Sequence, residues 1–179
     1  MAGNLLARSA HDLGAAAWFG GTLMGAVGLN GATGKAKDPK ERTRLSALGW
    51  AKWTPVQIAA FAIHGIGGIG LILGNKGRVA AQDSVGSNTV WKTIVTVVGM
   101  ALSLYSGILG KKVGELADQG AEGATEPRPG ADDALAKAQS QLKATQWLLP
   151  LISGIVVVMG SKQGEMQRPE NVKKGLFKK

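Results

Sequence analysis

The sequence predicts an all-α protein that spans a membrane as a bundle of four transmembrane helices. Apolar residues make up 45% of the 179 residues, and glycine adds 27 further positions. Most charged residues lie outside four long apolar stretches, each close to the ~17–25 residues that a helix needs to cross the hydrocarbon core. The mean hydropathy of +0.06 is modest because it averages these stretches with charged loops and a charged tail.

The four predicted spans belong to a single domain, residues 1–161, and cover about residues 10–32, 54–74, 93–110 and 146–161. The last span has only about 16 apolar-type residues, which is slightly short. From Ala131 onward, Leu135, Leu142 and Leu149 repeat at heptad spacing. This pattern predicts an amphipathic helical extension that leads into the fourth span and completes its length.

The ends of the spans and the loops also carry signals. Asp38 followed by Pro39 and Glu41 predicts a short helix before the second span, because these residues suit a helix start. Residues 113–130 are acidic and rich in Gly, Ala and Pro, which predicts a flexible linker. Four side chains at span ends suit the headgroup layer and are predicted membrane-interface anchors: Trp50, Lys52, Trp53 and Trp91.

The net charge of +9 is attributed to the membrane setting. Basic loops flank membrane spans in general, so the predicted partner is the lipid bilayer, with anionic lipid at the basic tail of residues 162–179, and no nucleic acid is expected. Four spans leave both termini on one side. We expect both termini in the cytoplasm, because the third loop is acidic and the tail suits anionic cytoplasmic lipid.

Small residues follow helical spacing within three of the spans. Lipid gives no hydrophobic drive for helix association, so small residues act by letting backbones approach closely. These faces predict packing within the bundle and, as an alternative, packing against another subunit. The predicted packing positions are Gly21, Gly25 and Gly28 in the first span, Gly70 and Gly74 in the second, and Gly99, Ser103 and Gly107 in the third.

His64 lies near the middle of the second span, where an ionisable side chain is a functional candidate. We expect a neutral imidazole hydrogen-bonded to a neighbouring helix, with Thr22 and Ser103 at similar depth completing an intramembrane polar site. A proton relay or a substrate contact is the alternative. His11, at the start of the first span, is expected to be solvated at the membrane surface beside Asp12.

No cofactor and no metal site are expected. The chain has no cysteine, which excludes thiolate ligands, and no arrangement of residues matches a known hydrolytic site, so enzymatic activity is not expected. The G-x-G-x-x-G run of residues 65–70 lies inside an apolar span with no preceding strand, unlike a nucleotide site. Haem is a weak candidate, with His64 and either Met24 or Met100 as axial ligands at similar predicted depth.

Four segments together carry a resemblance. They are His11-Asp12, residues 18–30 (WFGGTLMGAVGLN), residues 49–56 (GWAKWTPV) and residues 163–169 (QGEMQRP). In these the chain resembles a group of uncharacterised actinobacterial integral membrane proteins. The resemblance implies a bacterial cytoplasmic-membrane protein and brings no activity or site residues with it.

Three functional hypotheses follow. The first is a non-enzymatic membrane protein that packs with copies of itself or serves as an accessory subunit of a larger membrane complex, based on the small-residue faces. The second is a small transporter or proton-linked carrier that uses His64. The third is a haem-binding electron carrier.

Overall fold

A computed structural model describes residues 2–172, and all regular structure in this range is helical, which confirms the all-α class. In chain order the elements are α1 (Ala2–Met24), a π-helical turn (Gly25–Leu29), α2 (Asn30–Thr33), α3 (Pro39–Gly74), α4 (Lys76–Ala81), α5 (Asp83–Glu115), a short 3-10 helix (Ala117–Gln119) and α6 (Asp133–Glu165). The first helix consists of α1, the π-helical turn and α2, which follow one another without a break.

Three helices in the described range are long and apolar enough to cross a membrane. They are α3, α5 and α6, and their most apolar windows have mean hydropathies of 1.9, 1.7 and 1.6. The chain therefore has the character of a membrane protein. The helix that contains the first predicted span is not among the three. Its α-helical part includes Arg8 and Asp12, and much of the remainder is Gly and Ala, which carry little apolar surface.

Local sequence explains where the long helices begin. The carboxylate of Asp38 accepts a hydrogen bond from Lys40 N at 2.9 Å, and Pro39 occupies the first helical position. Asp132 caps α6 in the same way through Ala134 N at 2.7 Å. α3 has 36 residues and is therefore about 54 Å long, which exceeds the ~30 Å hydrocarbon core. It is one continuous helix rather than a short helix followed by a span.

α1 lies between α3 and α6, and α5 packs mainly along α6. Trp18 of α1 is fully buried at the centre, where it contacts the edge of Phe61 of α3 and packs with Ala15 and Val156. A second apolar cluster joins α5 and α6 nearer the start of α6 through Leu109, Val113, Leu135 and Ala138. α3 and α5 meet less extensively, so cavities remain between them.

The π-helical turn changes the face that α1 presents further along. A π turn contains one residue more than an α-helical turn, so every residue after it is rotated by about 100° relative to an uninterrupted α-helix. The turn buries Gly25 and Ala26, and Asn30 follows it with its side chain in the interior. The turn thus brings a polar residue into the bundle.

The segment expected to be a flexible linker is held against the helices. Ala121 N donates to Pro39 O at 3.0 Å, and Arg42 Nη1 donates to the carbonyl oxygens of Ala121 and Glu122 at 3.0 and 3.1 Å. Gln139 Nε2 donates to the carbonyls of residues 123 and 124, both at 3.2 Å. These two long side chains satisfy the backbone of a segment whose own sequence favours disorder. Of the predicted basic tail, residues 173–179 lie outside the described range.

Candidate functional site

The candidate site lies where α1 and α3 cross, and its centre is a pair of histidines. The imidazole rings of His11 and His64 stack with their centroids 3.9 Å apart and their planes 17° from parallel. Both side chains are buried, with 8% and 2% of their surfaces exposed. Two buried polar rings in contact need hydrogen-bond partners, and each histidine supplies one to the other.

The two histidines are joined by a reciprocal pair of hydrogen bonds. His11 Nδ1 donates to the backbone carbonyl of His64 at 2.8 Å, and His64 Nδ1 donates to the backbone carbonyl of His11 at 2.8 Å. A carbonyl oxygen can only accept, so each Nδ1 carries a proton. In the neutral rings both Nε2 atoms therefore have a lone pair, which can accept a hydrogen bond or a proton.

Glycines allow the two helices to approach closely enough for this exchange. A Cβ atom on Gly14 would lie 2.5 Å from Ala60 O, and a Cβ atom on Gly67 would lie 2.5 Å from Ala7 O. Both helices carry the same pattern, Ala-x-x-x-His-x-x-Gly, at residues 7–14 and 60–67. The crossing is therefore locally two-fold in both sequence and contacts.

Lys92 of α5 completes the polar cluster. Its side chain is 5% exposed, and Nζ donates to His11 Nε2 at 2.8 Å. Nζ also lies 3.4 Å from Gln163 Oε1, and Gln163 Nε2 donates to Thr89 Oγ1 at 3.3 Å. Four helices thus contribute to one continuous network, with a cation in contact with a neutral imidazole. Within residues 2–172, His64 Nε2 has no hydrogen-bond partner.

The network borders a cavity of about 360 Å³, here called the histidine cavity. Three cationic residues and one anionic residue in the described range line it: Arg8, Arg78, Lys92 and Asp12. Along α3 its lining extends from His64 to Ile72, which is about 12 Å at 1.5 Å per helical residue, and it continues to Asn75 and Arg78 beyond the end of α3. The cavity therefore runs from mid-span to the end of the bundle where α3 ends, and its excess of positive charge suits an anion.

The polar site predicted around His64 has a different composition in the structure. His64 does bond to a neighbouring helix, but its partner is the backbone of His11. Thr22 Oγ1 donates to Trp18 O at 2.9 Å and lies 3.4 Å from Ser153 Oγ. Ser103 Oγ donates to Gly99 O at 2.9 Å within its own helix. Thr22 and Ser103 therefore satisfy themselves locally and take no part in the histidine network.

His11 was expected at the membrane surface and is instead buried at the level of His64. The reason is that helical structure begins at Ala2, so nine residues of α1 precede His11 and carry it deeper. Lys92, which directly precedes the third predicted span of residues 93–110, turns inward to meet it. The repeated Ala-x-x-x-His-x-x-Gly pattern is the signal that could have predicted the histidine pair.

The geometry bears directly on the haem hypothesis. Stacked rings in contact leave no space for a porphyrin between His11 and His64. Met24 is 13 residues from His11 on the same helix, about 20 Å along its axis, and its side chain is 66% exposed. Met24 therefore cannot serve as a second axial ligand beside His64. Met100 lines the histidine cavity, as His64 does.

The predicted packing glycines are mostly in contact within the chain itself. At six of the seven predicted glycines a Cβ atom would meet a side chain: Trp53 at Gly21, Trp50 at Gly25, Met24 at Gly28, Ala7 at Gly70, Asn4 at Gly74, and Trp18 and Ile152 at Gly99. Within residues 2–172, Gly107 has open space at its Cβ position, and the contact at Gly28 is with the preceding turn of its own helix. The other five glycines serve close packing between helices of the chain.

The predicted interface anchors divide into two groups. Trp50 and Trp53 point inward, because Gly25 and Gly21 leave room for their rings. Their indole nitrogens donate to Asn30 Oδ1 at 3.0 Å and to Gln57 Oε1 at 2.7 Å. Lys52 and Trp91 are exposed, as an anchor requires.

A second polar cluster surrounds Asn30 at the opposite end of the bundle. Asn30 Oδ1 accepts from Ser46 Oγ at 2.8 Å in addition to Trp50, and Asn30 Nδ2 donates to Gln146 Oε1 at 3.0 Å. Gln146 Nε2 then donates to Thr125 Oγ1 at 3.2 Å. This cluster borders a second cavity of about 600 Å³ between α3 and α5, which contains Gln57, Ser106 and Gly107 in its lining.

Compared with protein-family models, with curated proteins and with solved structures, the chain gives no match. The chemistry of the site is therefore read from its own residues. Those residues form a buried, cation-containing network on the wall of a cavity within a helical protein of membrane character.

Proposed function

We propose that the chain is a four-span integral membrane protein that carries a small anion together with a proton through its histidine cavity. The observation that carries this proposal is the 2.8 Å hydrogen bond from Lys92 Nζ to His11 Nε2 at the cavity wall. A buried cation that shares a proton with an imidazole is a place where anion binding and protonation influence each other.

The fourth span of this proposal is the helix of residues 2–33. It packs against α3 and α6 along their apolar lengths, so it occupies the same environment as they do. Its outward surface is apolar, since Leu5, Leu6, Leu13, Met24 and Val27 are each at least 58% exposed. An exposed apolar surface of this extent is stable against lipid rather than against water.

The four-span topology can be tested by cysteine labelling, because the chain has no natural cysteine. Single cysteines at Asn4, Lys37 and Gly77 would be treated with a membrane-impermeant maleimide in intact cells. Asn4 and Gly77 should label from one side of the membrane and Lys37 from the other. If both termini are cytoplasmic, as we propose, Lys37 is the position labelled from outside. Labelling of Asn4 and Lys37 from the same side would contradict the fourth span.

The site has the groups that such a carrier needs. Lys92 provides a fixed positive charge in a cavity that also contains Arg8 and Arg78, so an anion entering it is attracted. The Nε2 atom of His64 is unpaired within residues 2–172 and can accept a proton. Protonation of either imidazole adds positive charge to the cavity and strengthens anion binding, and bound anion favours protonation in return.

Proteoliposomes with a trapped pH-sensitive dye test the transport. The full-length protein would be given a pH gradient and, in separate experiments, external chloride, inorganic phosphate, sulfate or succinate. We expect at least one anion to accelerate proton entry over protein-free vesicles. Lys92→Met should reduce that acceleration at least tenfold, because it removes the buried charge. If no anion accelerates proton entry in the unmodified protein, the carrier proposal is wrong.

The variant His64→Asn tests the role of Nε2 in transport while keeping the structural hydrogen bond to His11. The Asn amide can still donate to His11 O in place of Nδ1, but it has no counterpart of Nε2. We expect a folded protein with no anion-dependent proton entry. Gly65→Leu should block the cavity, because Gly65 lines it and has open space at its Cβ position. Gly20→Leu is the matched control, since Gly20 is equally uncrowded and does not line the cavity.

The accessory-subunit hypothesis has less support from the contacts. Its motivation was the set of glycine faces, and nearly all of these are occupied by side chains of the same chain. Intramolecular packing therefore accounts for them without a partner.

A further inference from the structure

The second cavity is a groove between α3 and α5, open toward the surroundings of the bundle. Close contact between Gly114 and Ala47 closes one end, where a Cβ atom on Gly114 would lie 3.1 Å from Ala47 Cβ. Phe61 lines the opposite end. Three strongly exposed apolar side chains lie on its lining, Leu48 and Ile58 of α3 and Leu104 of α5, with 51%, 58% and 64% exposure. The groove therefore opens where α3 and α5 would face lipid.

Two polar atoms in the groove wall have no partner. Within residues 2–172, Gln57 Nε2 and Ser106 Oγ are buried and form no hydrogen bond. Gln57 Oε1 accepts from Trp53 Nε1 at 2.7 Å, which fixes the amide so that its nitrogen is the unpaired donor. A buried donor without a partner costs about 1–3 kcal/mol, so an occupant with acceptor oxygens would stabilise this wall.

The depth of these two donors matches a layer of the bilayer. Gln57 lies five residues after Lys52, and Ser106 lies five residues before Lys111, so each donor is about 7.5 Å along its helix from an exposed lysine. The headgroup and interfacial region on each side of the hydrocarbon is about 5–7.5 Å thick. With the lysines at the headgroups, the two donors lie at the level of the ester carbonyls.

We propose that the second cavity is a binding site for one anionic glycerophospholipid. The ester carbonyl oxygens accept hydrogen bonds from Gln57 Nε2 and Ser106 Oγ, and the phosphate lies beside Lys111, which lines the groove. An acyl chain follows the apolar wall of Ile58, Leu104 and Phe61. This site is distinct from the histidine cavity and does not depend on the carrier proposal.

The role of the ester carbonyls can be isolated with matched lipids. Native mass spectrometry of the detergent-solubilised full chain would compare dioleoyl phosphatidylglycerol with its diether analogue, which lacks the carbonyl oxygens. We expect the diester to be retained about 3- to 10-fold better, which is the effect of one ordinary hydrogen bond. The double variant Gln57→Leu, Ser106→Ala should retain both lipids equally. Equal retention of both lipids by the unmodified protein would overturn the assignment of these two donors.

Filling the groove tests its location. Gly107 lines the groove and has nothing within 4 Å of its Cβ position, so Gly107→Leu adds a side chain without a clash and occupies the space. We expect the fraction of protein that retains one lipid to fall at least fivefold. Gly20→Leu, at an equally uncrowded position away from the groove, should retain lipid as the unmodified protein does. Equal retention by the Gly107 and Gly20 variants would show that no lipid occupies the groove.

The headgroup contact is tested with two lysines. Lys111 lines the groove, whereas Lys52 is exposed at the same end of the bundle outside the lining. Lys111→Ala should reduce the preference for dioleoyl phosphatidylglycerol over dioleoyl phosphatidylcholine at least threefold, and Lys52→Ala should leave it unchanged. An unchanged preference in Lys111→Ala would overturn the phosphate contact.

Discussion

His11 and His64 hold each other by two equivalent hydrogen bonds, since the Nδ1 atom of each donates to the backbone carbonyl of the other at 2.8 Å. The exchange ties α1 to α3 by their backbones as well as by their side chains. Because each ring is also stacked on the other, a change at either position alters both halves of the contact.

We predict that His64→Leu destabilises the protein more than His64→Asn does. Leucine removes the Nδ1 donor and leaves His11 facing an apolar side chain, which should cost about 1–3 kcal/mol. Asparagine keeps a donor in nearly the same position. Thermal melting in detergent measures the difference, and equal melting temperatures would contradict a structural role for the Nδ1 bond.

Alanine at either glycine of the crossing should separate α1 from α3. The added methyl group of Gly14→Ala or Gly67→Ala would lie 2.5 Å from a backbone oxygen, which cannot move as a flexible side chain can. We expect a loss of about 1–3 kcal/mol and a corresponding fall in melting temperature. Gly20→Ala has open space and should show no such loss. The prediction fails if the three variants melt together.

Removal of His11 should be partly rescued by removal of Lys92. His11→Leu leaves the buried ammonium group without its 2.8 Å acceptor, and loss of a hydrogen bond to a buried charged group costs about 1.5–3 kcal/mol. Lys92→Met takes away the charge that needs the acceptor, so the double variant should be more stable than His11→Leu alone. A double-mutant cycle of melting temperatures measures the coupling. Additive effects would mean that the two side chains do not interact.

Loss of the Asn30 side-chain oxygen should destabilise the polar cluster around this residue. Asn30→Leu leaves Ser46 Oγ, Trp50 Nε1 and Gln146 Oε1 without their partner, and each lost bond costs about 0.5–1.5 kcal/mol. Asn30→Asp keeps the oxygen that accepts from Ser46 and Trp50, so these two bonds can persist. Tryptophan emission should shift more in the Leu variant than in the Asp variant. The reverse order would contradict the assigned amide orientation.

Arg42 should protect the segment between α5 and α6 from proteolysis. Its guanidinium donates to the carbonyls of Ala121 and Glu122, so Arg42→Gln should release this segment and increase cleavage after Glu122 by a glutamate-specific protease. Arg44→Gln is the control. Arg44 is exposed, and within residues 2–172 its one ion pair is with Glu41 of the same helix. Equal cleavage rates in the two variants would mean that Arg42 does not hold the segment.

The long helices and their membrane character follow from the sequence, since apolar stretches bounded by charge dominate α3, α5 and α6. The glycine positions also have physical meaning in isolation, because close approach of helices requires small residues. The side chains that these glycines contact cannot be predicted from a single helix. That Gly21 and Gly25 receive the rings of Trp53 and Trp50 depends on how two helices are placed relative to each other.

The histidine site was missed for a related reason. Depth in the membrane can be predicted from the sequence only for each span separately, which puts His11 at the surface, and Lys92 precedes the third predicted span. In the structure α1 extends back to Ala2 and Lys92 turns into the bundle, which brings His11 to His64 and Lys92 to His11. Such a site depends on how the helices are placed relative to one another, and the local sequence pattern of one helix does not contain this information.

The π-helical turn allows the polar residues at both ends of the first helix to face the interior of the bundle. Thr22 faces the interior, and in a regular α-helix Leu29, two turns later, would share that face while Asn30 pointed about 100° away. The additional residue within Gly25–Leu29 places Asn30 inward instead. Deleting one residue there would restore a regular α-helix. Either the histidine end or the asparagine end would then lose its partners.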